Sequence, residues 1–250
     1  MQEITSRKNP LVRHLKKLGA DRAYRDACGE FLCDGLKLYE EAVQCGMDIP
    51  LLAGSRREIV EKANGQGILV PEDVLSSISP QKSPQPVVFS CKKPEAVPVS
   101  APQCVLILDG IQDPGNVGTL IRTAEAFCAD QVIVTGNSAD IYHPKTVRAA
   151  MGALFRQAVC EMDLEELLNY VNQNKLTLLG AALAEDGRMA GGPLPKPAAI
   201  AIGSEGQGLS PDLLAHCHET IYIPMNPATE SLNAGVAGAI LLWEVSKNRL

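Results

Sequence analysis

The sequence predicts an α/β protein with two parts, a small N-terminal α/β unit and a larger C-terminal domain built on a parallel sheet. Short apolar runs alternate with amphipathic helical segments along most of the 250 residues, which is the pattern of strand–helix repeats. In the C-terminal half the runs are apolar at nearly every position, as in parallel strands that helices cover on both faces. A proline-containing stretch without periodicity, residues 94–103, separates the two parts and predicts a linker.

The N-terminal part, residues 1–93, is expected to mix helices and strands. Asn9 and Pro10 precede leucines at helical spacing, so a helix is predicted to begin at Pro10 and to end before Gly19. The remaining elements follow from apolar periodicity and turn residues. The predicted helices are 10–18, 36–44 and 72–78, and the predicted strands are 50–53, 67–70 and 86–91. Residues 30–36 are predicted to form a strand followed by a turn.

The C-terminal part, residues 104–250, has the clearer pattern of strands and helices. Its first strand, 105–109, is apolar up to its final aspartate, and later apolar runs alternate with helix-forming segments. The predicted strands are 105–109, 131–135, 155–159, 176–182, 198–203 and 219–224, and the predicted helices are 116–128, 145–151, 164–174, 211–216 and one that begins at Ser231.

The composition, with 46% hydrophobic and 21% charged residues, is that of a soluble globular protein. No apolar run reaches the roughly 18 residues of a membrane-spanning helix, and the N-terminus lacks the apolar core of a signal peptide. We therefore expect a cytoplasmic protein that does not enter a membrane. The eight cysteines are scattered through apolar segments and are expected to be buried and reduced. His216, Cys217 and His218 are adjacent, but no second ligand pair has zinc spacing, so no metal site is expected.

Positive charge is concentrated at the N-terminus, although the net charge of the chain is −6. The first 100 residues carry 14 Lys and Arg against 13 Asp and Glu, whereas the remaining 150 carry 9 against 16. The local excess near the start of the chain is able to hold a phosphate backbone. The candidate contacts are Arg7, Lys8, Arg13, Lys16 and Lys17. The alternative is an ordinary solvated helix face.

Two loops that follow predicted strands are rich in glycine and polar residues. In the first, Asn116 is expected at a helix N-cap, and Arg122 is expected to need a carboxylate or phosphate partner. A surface pair between Arg122 and Glu125 is the ordinary alternative. In the second loop, 203–210, Glu205 stands among three glycines, where it would repel a phosphate. It fits better as a partner for Arg122 or for a cationic group of a ligand.

A third stretch, 221–244, passes from a strand end into a helix of small residues. Ser231 and Asn233 place polar side chains at the helix start, and two glycines inside the helix predict close packing. By itself the stretch is equally an ordinary capped helix. Loops after the strands of one sheet meet at a single crevice. They bring no Cys or His beside a nucleophile, which argues against acyl transfer and favours the positioning of a reactive cofactor.

These three stretches, in this order, resemble the three motifs of the SpoU (TrmH-type) RNA 2′-O-ribose methyltransferases of the SPOUT superfamily. The motifs are Asp113–Phe127, Gly203–Leu209 and Ile223–Ala237. Residues 4–11 and 31–35 are similar to the small L30e-type substrate-binding domain that many members carry. The resemblance covers nearly the whole chain and is loose between about residues 45 and 100.

The resemblance implies S-adenosylmethionine as the methyl donor and a ribose 2′-hydroxyl of RNA as the acceptor. It also implies a deep trefoil knot in the C-terminal SPOUT domain, a homodimer and an RNA-binding role for residues 1–93. The two-domain layout favours ribosomal RNA over transfer RNA. Two other interpretations are a nucleotide-dependent oxidoreductase, for which no GxGxxG motif is present, and an inactive RNA-binding relative, for which no motif residue is damaged.

The resemblance also assigns roles to residues. The residues expected at the reacting ribose are Arg122, Asn116, Glu205, Ser231 and Asn233. The residues expected at the methyl donor are Leu183, Gly203, Ile223, Met225 and Leu232. The implied reaction is in-line attack of the 2′-oxygen on the donor methyl group, and Arg122 is expected to orient the ribose because a free arginine is a poor base.

The sequence departs from the family pattern at three places. Ser204 stands where Asn or Ala is common, and Pro227 stands where Gly is usual. Ala234 and Gly235 replace bulkier residues. The last two departures predict a stiffer loop after Met225, a less crowded helix start and an altered donor pose.

Overall fold

The computed structural model describes residues 2–63, 66–81, 83–183, 187–192, 194–226, 228–229 and 231–247. The chain divides into two compact units. The first unit comprises residues 1–95 together with 140–155, and the second comprises 96–139 together with 156–250. The segment 140–155 therefore belongs to the first unit, although the chain on either side of it belongs to the second.

The elements alternate along the chain as the sequence predicts. In chain order the strands are β1 (Gln2–Glu3), β2 (Glu30–Asp34), β3 (Leu51–Gly54), β4 (Gln66–Leu69), β5 (Val87–Lys92), β6 (Cys104–Asp109), β7 (Gln131–Thr135), β8 (Val159–Glu161), β9 (Thr177–Ala181), β10 (Arg188–Met189), β11 (Ala198–Gly203) and β12 (Glu219–Tyr222). The helices are α1 (Pro10–Ala20), α2 (Arg22–Cys28), α3 (Leu36–Gln44), α4 (Arg57–Val60), α5 (Glu72–Ser76), α6 (Pro114–Ala126), α7 (Pro144–Ala150), α8 (Leu164–Gln173), α9 (Pro211–Ala215) and α10 (Ala234–Ser246). Among the described residues, no helix is long and apolar enough to cross a membrane.

The sheet of the first unit has the order β1-β4-β3-β5-β2 within the described residues. Strands β1, β4 and β3 run parallel, and β5 is antiparallel to β3 and β2. Helix α1 begins where the Asn9 side chain accepts a hydrogen bond from Leu11 N at 2.9 Å and Pro10 occupies the first helical position. Its apolar face, Val12, Leu15 and Leu18, is fully buried in the core of this unit.

Segment 140–155 is fixed in the first unit by a buried ion pair. The Arg25 guanidinium is 2.5 Å from the Asp140 carboxylate and donates a second hydrogen bond to the Leu18 carbonyl at 2.7 Å. Arg25 is only 2% exposed. Two of its terminal nitrogens are paired in this way, while Nε is buried without a hydrogen-bond partner among the described residues. The paired contacts join the segment to α2 and α1.

The second unit is built on a parallel sheet with the order β10-β12-β9-β11-β6-β7-β8 among the described residues. The central strands β6 and β11 are buried along almost their whole length, which explains their uniformly apolar sequences. The prediction of an α/β protein with a parallel C-terminal sheet and a small N-terminal α/β domain is confirmed.

Residues 99–101 of the predicted linker are hydrogen-bonded to the second unit. The Gln131 side chain accepts from Val99 N at 2.7 Å, and the Tyr170 hydroxyl donates to the Val99 carbonyl at 2.8 Å. Ala101 N donates to the Asn174 side chain at 2.9 Å. Gln131 is fully buried, so these bonds give the irregular segment a fixed path.

Several predicted boundaries are wrong for local reasons. The strand expected at 155–159 begins at Val159, because Ala153–Phe155 forms a 3-10 turn. Helix α6 begins at Pro114, and α10 begins at Ala234 rather than at Ser231. The short elements α2, α4, β1 and β10 were not predicted, since too few apolar positions mark them.

Candidate active site

The three motif loops of the second unit meet beyond the carboxyl ends of its central strands. Gly203 at the end of β11 pairs in register with Asp109 at the end of β6. Motif one follows β6, motif two follows β11 and motif three follows β12. Loops at this edge of a parallel sheet form the usual ligand crevice of α/β proteins.

Motif two forms a closed turn that only glycine permits at its first position. Ser204 N donates to the Gly208 carbonyl at 3.0 Å, and Gly208 N donates back to the Ser204 carbonyl at 2.8 Å. A Cβ atom added to Gly203 would overlap the Gly208 carbonyl group and Leu209 N. The obstacle is backbone, which cannot move aside without opening the turn, so the sequence requirement at Gly203 is steric.

A chain of side-chain hydrogen bonds joins the three motifs. The Asn116 amide donates to the Glu205 carboxylate, and the Asn116 amide oxygen accepts from Asn233 Nδ2 at 3.1 Å. The Asn233 oxygen accepts from Val236 N at 3.3 Å and caps α10. Residues from motif one, motif two and motif three are thus held together by two amides and one carboxylate.

The expected N-cap role of Asn116 is wrong. The N-cap of α6 is Asp113, whose side chain accepts from Gly115 N at 3.2 Å, and Pro114 occupies the first helical position. Asn116 lies in the first turn of the helix, where its side chain is left to contact Glu205 and Asn233. The N-cap of α10 is likewise Asn233, two residues after the predicted helix start at Ser231.

Arg122 lies exposed on α6 and makes no hydrogen bond or ion pair with any residue that the structure describes. Glu205 accepts from Asn116 instead, so the expected pair with Arg122 is not formed. The alternative pair with Glu125 is not formed either, because Glu125 binds the Arg156 guanidinium at 2.7 Å. The Arg122 guanidinium therefore retains its donors for a partner outside the described chain.

The glycines of motif three allow α10 to approach α6 closely. A Cβ atom added to Gly235 would lie 3.3 Å from the Thr119 side chain, and one added to Gly238 would overlap Leu120. The expectation of close packing around these glycines is therefore confirmed. Pro227, for which a stiffer loop was expected, lies outside the described residues.

A cavity of about 340 Å³ opens beside this hydrogen-bonded chain. Its lining includes every residue that the resemblance places at the methyl donor: Leu183, Gly203, Ile223, Met225 and Leu232. Glu205 and Ser231 also line it, and apolar side chains such as Leu209 and Leu241 form its wall. Arg122, Asn116 and Asn233 are not part of the lining.

The cavity fits S-adenosylmethionine by size and by chemistry. Its volume is in the range of small-ligand pockets, and an apolar wall with few polar groups suits an adenine ring. Ile223 and Met225 lie in a segment outside helix and strand, so no sheet ladder uses their peptide groups. Glu205 supplies a negative charge near the cavity, as a cationic ligand requires.

Sequence reasoning did not identify Asp109, which holds the motif-two loop in place. It is 3% exposed, and its carboxylate accepts from Ser210 N at 2.6 Å, which fixes the end of the motif-two loop. A Cβ atom added to Gly136 would come within 2.9 Å of the same carboxylate. The sequence feature that could have indicated this role is the position of Asp109 as the last residue of an otherwise apolar strand.

The five basic residues proposed to contact RNA lie on the first unit. Arg7, Lys8, Arg13 and Lys17 are exposed, and Lys16 is partly buried. Arg7 pairs with Asp73 at 2.7 Å, and the Lys17 ammonium lies 5.0 Å from the centre of the Tyr24 ring. All five are at or near the surface, and their contact with RNA stays a prediction.

None of the eight cysteines, all of which lie among the described residues, forms a disulfide bond. Four are buried as expected, but Cys128 is exposed, so the prediction of general burial is wrong there. Burial raises the pKa of both Cys160 and Cys217 to about 11, so these thiols are poor nucleophiles at neutral pH. No group of three or more His, Cys, Asp or Glu side chains in the described part of the chain is arranged to hold a metal ion.

Comparison with known proteins gives the family. Residues 103–243 match the SpoU rRNA Methylase family, and residues 9–88 match the MRM3-like substrate binding domain. The chain is 32% identical over 248 residues to the 23S rRNA (guanosine(2553)-2′-O)-methyltransferase RlmP of Bacillus subtilis, with 98% of this chain and 99% of that protein covered.

Two solved structures are similar over the whole fold. The AdoMet-bound rRNA methyltransferase of Sinorhizobium meliloti has a TM-score of 0.90 at 28% identity, covering 100% of this chain and 98% of that one. The SpoU methyltransferase AviRb of Streptomyces viridochromogenes, in complex with AdoMet, has a TM-score of 0.87 at 28% identity, covering 97% and 98%. The motif geometry and these similarities lead to one conclusion: the chain belongs to the SpoU rRNA methylase family.

Proposed function

We propose that this protein transfers the methyl group of S-adenosylmethionine to a ribose 2′-hydroxyl in 23S ribosomal RNA. The observation that carries the proposal is the hydrogen-bonded chain Glu205–Asn116–Asn233 beside an apolar cavity of about 340 Å³. RlmP and a 23S rRNA (uridine(2479)-2′-O)-methyltransferase of Streptomyces viridochromogenes, whose names specify 23S rRNA 2′-O-methylation, support ribosomal RNA over transfer RNA as the substrate.

The donor would lie in the cavity lined by Leu183, Gly203, Ile223, Met225 and Leu232. Bound S-adenosylmethionine supplies an activated methyl group carried on a sulfonium cation. The Glu205 carboxylate is held by Asn116, so its negative charge has a fixed position close to a cationic ligand. The apolar wall excludes water from the reacting groups.

The ribose would be positioned by polar side chains of motifs one and three. Arg122 offers five N–H donors in a planar fork, which suits a phosphate beside the target ribose. A guanidinium is a poor general base, so the proposed role of Arg122 is to orient the 2′-hydroxyl and to stabilise the adjacent negative charge. Ser231 lines the cavity, and Asn233 is held by its hydrogen bond to Asn116.

RNA binding and methyl transfer would be carried out by different parts of the chain. Residues 1–93 bind RNA, and their proposed contacts are Arg7, Lys8, Arg13, Lys16 and Lys17. Residues 94–103 form the linker between the two domains. Residues 104–250 carry out methyl transfer. Only 4% of the residues are aromatic, so contacts to phosphates and to RNA shape are expected to dominate over base stacking.

A homodimer would cover the exposed side of α10. The helix is apolar all around, yet Val236 is 47% and Trp243 is 46% exposed. Helices that are apolar on every face are normally buried, so a second copy of the chain is the occupant we propose.

We also propose that the C-terminal segment forms the trefoil knot of the superfamily and that the protein acts in the cytoplasm. Strands β11 and β12 lie on either side of β9, and α10 returns to pack on α6 and β11. The last helix therefore lies against elements formed much earlier in the chain, and this return of the chain end supports the proposal of a knot.

Mapping of 2′-O-methylation across total RNA tests the function. Cells that lack the gene are expected to lose one 23S rRNA modification, and a plasmid-borne wild-type gene is expected to restore it. Restoration by Arg122→Ala would contradict the role of that residue. Loss of a transfer RNA modification, with all ribosomal RNA modifications retained, would contradict the proposal that ribosomal RNA is the substrate.

A further inference from the structure

Both ends of the motif-two loop, residues 203–210, are held by one residue of the neighbouring strand β6. At the first end, Asp109 is paired in register with Gly203 in the parallel ladder of β6 and β11. At the other end, the Asp109 carboxylate accepts a hydrogen bond from Ser210 N at 2.6 Å. No other described residue accepts from this N–H group. The backbone and the side chain of Asp109 therefore attach the two ends of the loop to the same point of the sheet.

The Asp109 side chain has little freedom to move with the loop. It is 3% exposed, and its backbone is also paired with Thr135 of β7 on the other side. One carboxylate oxygen accepts from Ser210 N, and the other lies so close to Gly136 that a Cβ atom added there would come within 2.9 Å of it. Hydrogen bonds to an ionised acceptor are about twice as strong as neutral ones. The contact to Ser210 is thus a strong bond to an atom whose position the sheet fixes.

The motif-two turn has a separate set of bonds that maintain its own shape. Ser204 and Gly208 exchange backbone hydrogen bonds, and Gln207 N donates to the Ser204 hydroxyl at 3.3 Å. These bonds join residues of the loop to one another, so they do not determine where the far end of the turn lies relative to the sheet. Loss of the Asp109 carboxylate is therefore expected to displace a turn that stays closed, rather than to unfold it.

The place of the turn matters for the donor cavity. The loop lines the cavity from Gly203 to Leu209 and includes Glu205, whereas other parts of the wall come from the ends of β9 and β12, at Ala181 and Ile221. A displacement of the loop relative to these strand ends changes the width of the cavity. It also moves the Glu205 carboxylate, whose position is expected to matter for a cationic ligand.

We propose that Asp109 is a positioning residue for the methyl donor, because it sets the place of the motif-two loop relative to the rest of the donor cavity. Asp109 does not line the cavity, so it acts through the loop alone. The inference rests on the proposed function, in which this cavity binds S-adenosylmethionine. Donor binding returns a displaced loop to its place at the expense of affinity, so the effect falls on KM for the donor and not on kcat.

Two substitutions of Asp109 in the full-length protein, followed by calorimetric titration with S-adenosylmethionine, test this role. Asp109→Ala leaves Ser210 N without its acceptor, and donor affinity is expected to fall at least about tenfold. Asp109→Asn keeps an oxygen that accepts the hydrogen bond but removes the charge, so a fall of about threefold is expected. In methyl-transfer assays, KM for the donor is expected to rise by the same factors, while kcat at saturating donor stays within about threefold of the wild type.

Asp130→Ala is the matched control. The Asp130 carboxylate accepts from Gln103 N and Cys104 N, each at 2.8 Å, at the opposite end of β6, and Asp130 does not line the cavity. Its removal takes away the same kind of bond from the same strand without affecting the motif-two loop. The urea midpoint is expected to fall, but donor affinity is expected to stay within about twofold of the wild type. A merely structural role for Asp109 predicts instead that the two alanine variants behave alike.

Three results would overturn the inference. The first is wild-type donor affinity in a folded Asp109→Ala variant, and the second is an equal loss of donor affinity in Asp130→Ala. If Asp109→Ala does not fold, wild-type donor affinity in Asp109→Asn is the third. A wild-type protein that binds the donor but methylates no RNA would contradict the proposed function and leave the role of Asp109 intact.

Discussion

Replacement of Gly203 by alanine is expected to collapse the motif-two turn. The added Cβ would overlap the Gly208 carbonyl and Leu209 N, which are backbone atoms without freedom to rotate away. Overpacking of this kind costs about 1–3 kcal/mol. Opening the turn also loses the reciprocal Ser204–Gly208 hydrogen bonds of 3.0 and 2.8 Å, at about 1 kcal/mol each. The expected loss is therefore about 3–5 kcal/mol.

Two other glycines of the same loop provide matched controls. A Cβ added to Gly206 meets nothing within 4 Å, so Gly206→Ala is expected to change stability by less than about 0.5 kcal/mol. Gly208 also has open space but a φ of +69°, so Gly208→Ala is expected to cost about 1–2 kcal/mol from backbone strain alone.

Urea unfolding and calorimetric titration with S-adenosylmethionine measure this series. The expected order of destabilisation is Gly203, then Gly208, then Gly206, and donor affinity is expected to fall at least about tenfold for Gly203→Ala because the turn lines the cavity. If Gly203→Ala is no less stable than Gly206→Ala and binds the donor normally, the steric account of motif two is refuted.

Three further predictions concern the anchoring of the linker, acid stability and assembly. Gln131→Ala removes the acceptor for Val99 N, and the urea midpoint is expected to fall by the equivalent of about 1–3 kcal/mol. Burial alone would raise the pKa of Glu30, but hydrogen bonds from Lys92 and His14 lower it overall. The ionised carboxylate therefore stabilises the fold at pH values above its ordinary pKa of 4.5, and this stabilisation is lost as the pH falls through the lowered pKa. Glu30→Gln should then flatten the decline of stability below about pH 4.5 in urea titrations. Trp243→Arg is expected to convert a dimer to monomers in light scattering.

Each of these predictions has a result that would contradict it. An unchanged midpoint for Gln131→Ala would mean that Val99 N finds another acceptor. If stability falls equally steeply at acid pH in Glu30→Gln and in the wild type, Glu30 does not contribute to the acid dependence of stability. A dimer that survives Trp243→Arg, or that dissociates equally with Val97→Arg at another exposed apolar residue, would place the interface elsewhere.

The sequence was most informative where a motif combined with strand order. The ends of β6 and β11 lie in register, so glycines and polar residues placed after them had to meet, and the donor residues around Gly203 and Met225 do line one cavity. Close packing at Gly235 also followed from composition, because glycine inside a helix is costly without a steric reason.

Other features depended on contacts that no local pattern encodes. The pairing of Glu205 with Asn116 rather than Arg122 is set by side-chain directions around the first turn of α6. The placement of 140–155 in the first unit depends on the buried contact between Arg25 and Asp140, which are 115 residues apart. General rules of chain connection argue against threading, so the proposal of a knot comes from the resemblance to the SPOUT superfamily and not from strand order.

Transfer of labelled methyl groups from S-adenosylmethionine to unmodified 23S rRNA by the purified protein tests the central claim most directly. We predict that the label appears at one ribose 2′-oxygen, as an alkali-resistant dinucleotide. Arg122→Ala is expected to abolish this product while donor affinity in calorimetry stays within about twofold, since Arg122 does not line the donor cavity. Label on a base or on no RNA, or an equal loss of donor binding and transfer in Arg122→Ala, would contradict the account.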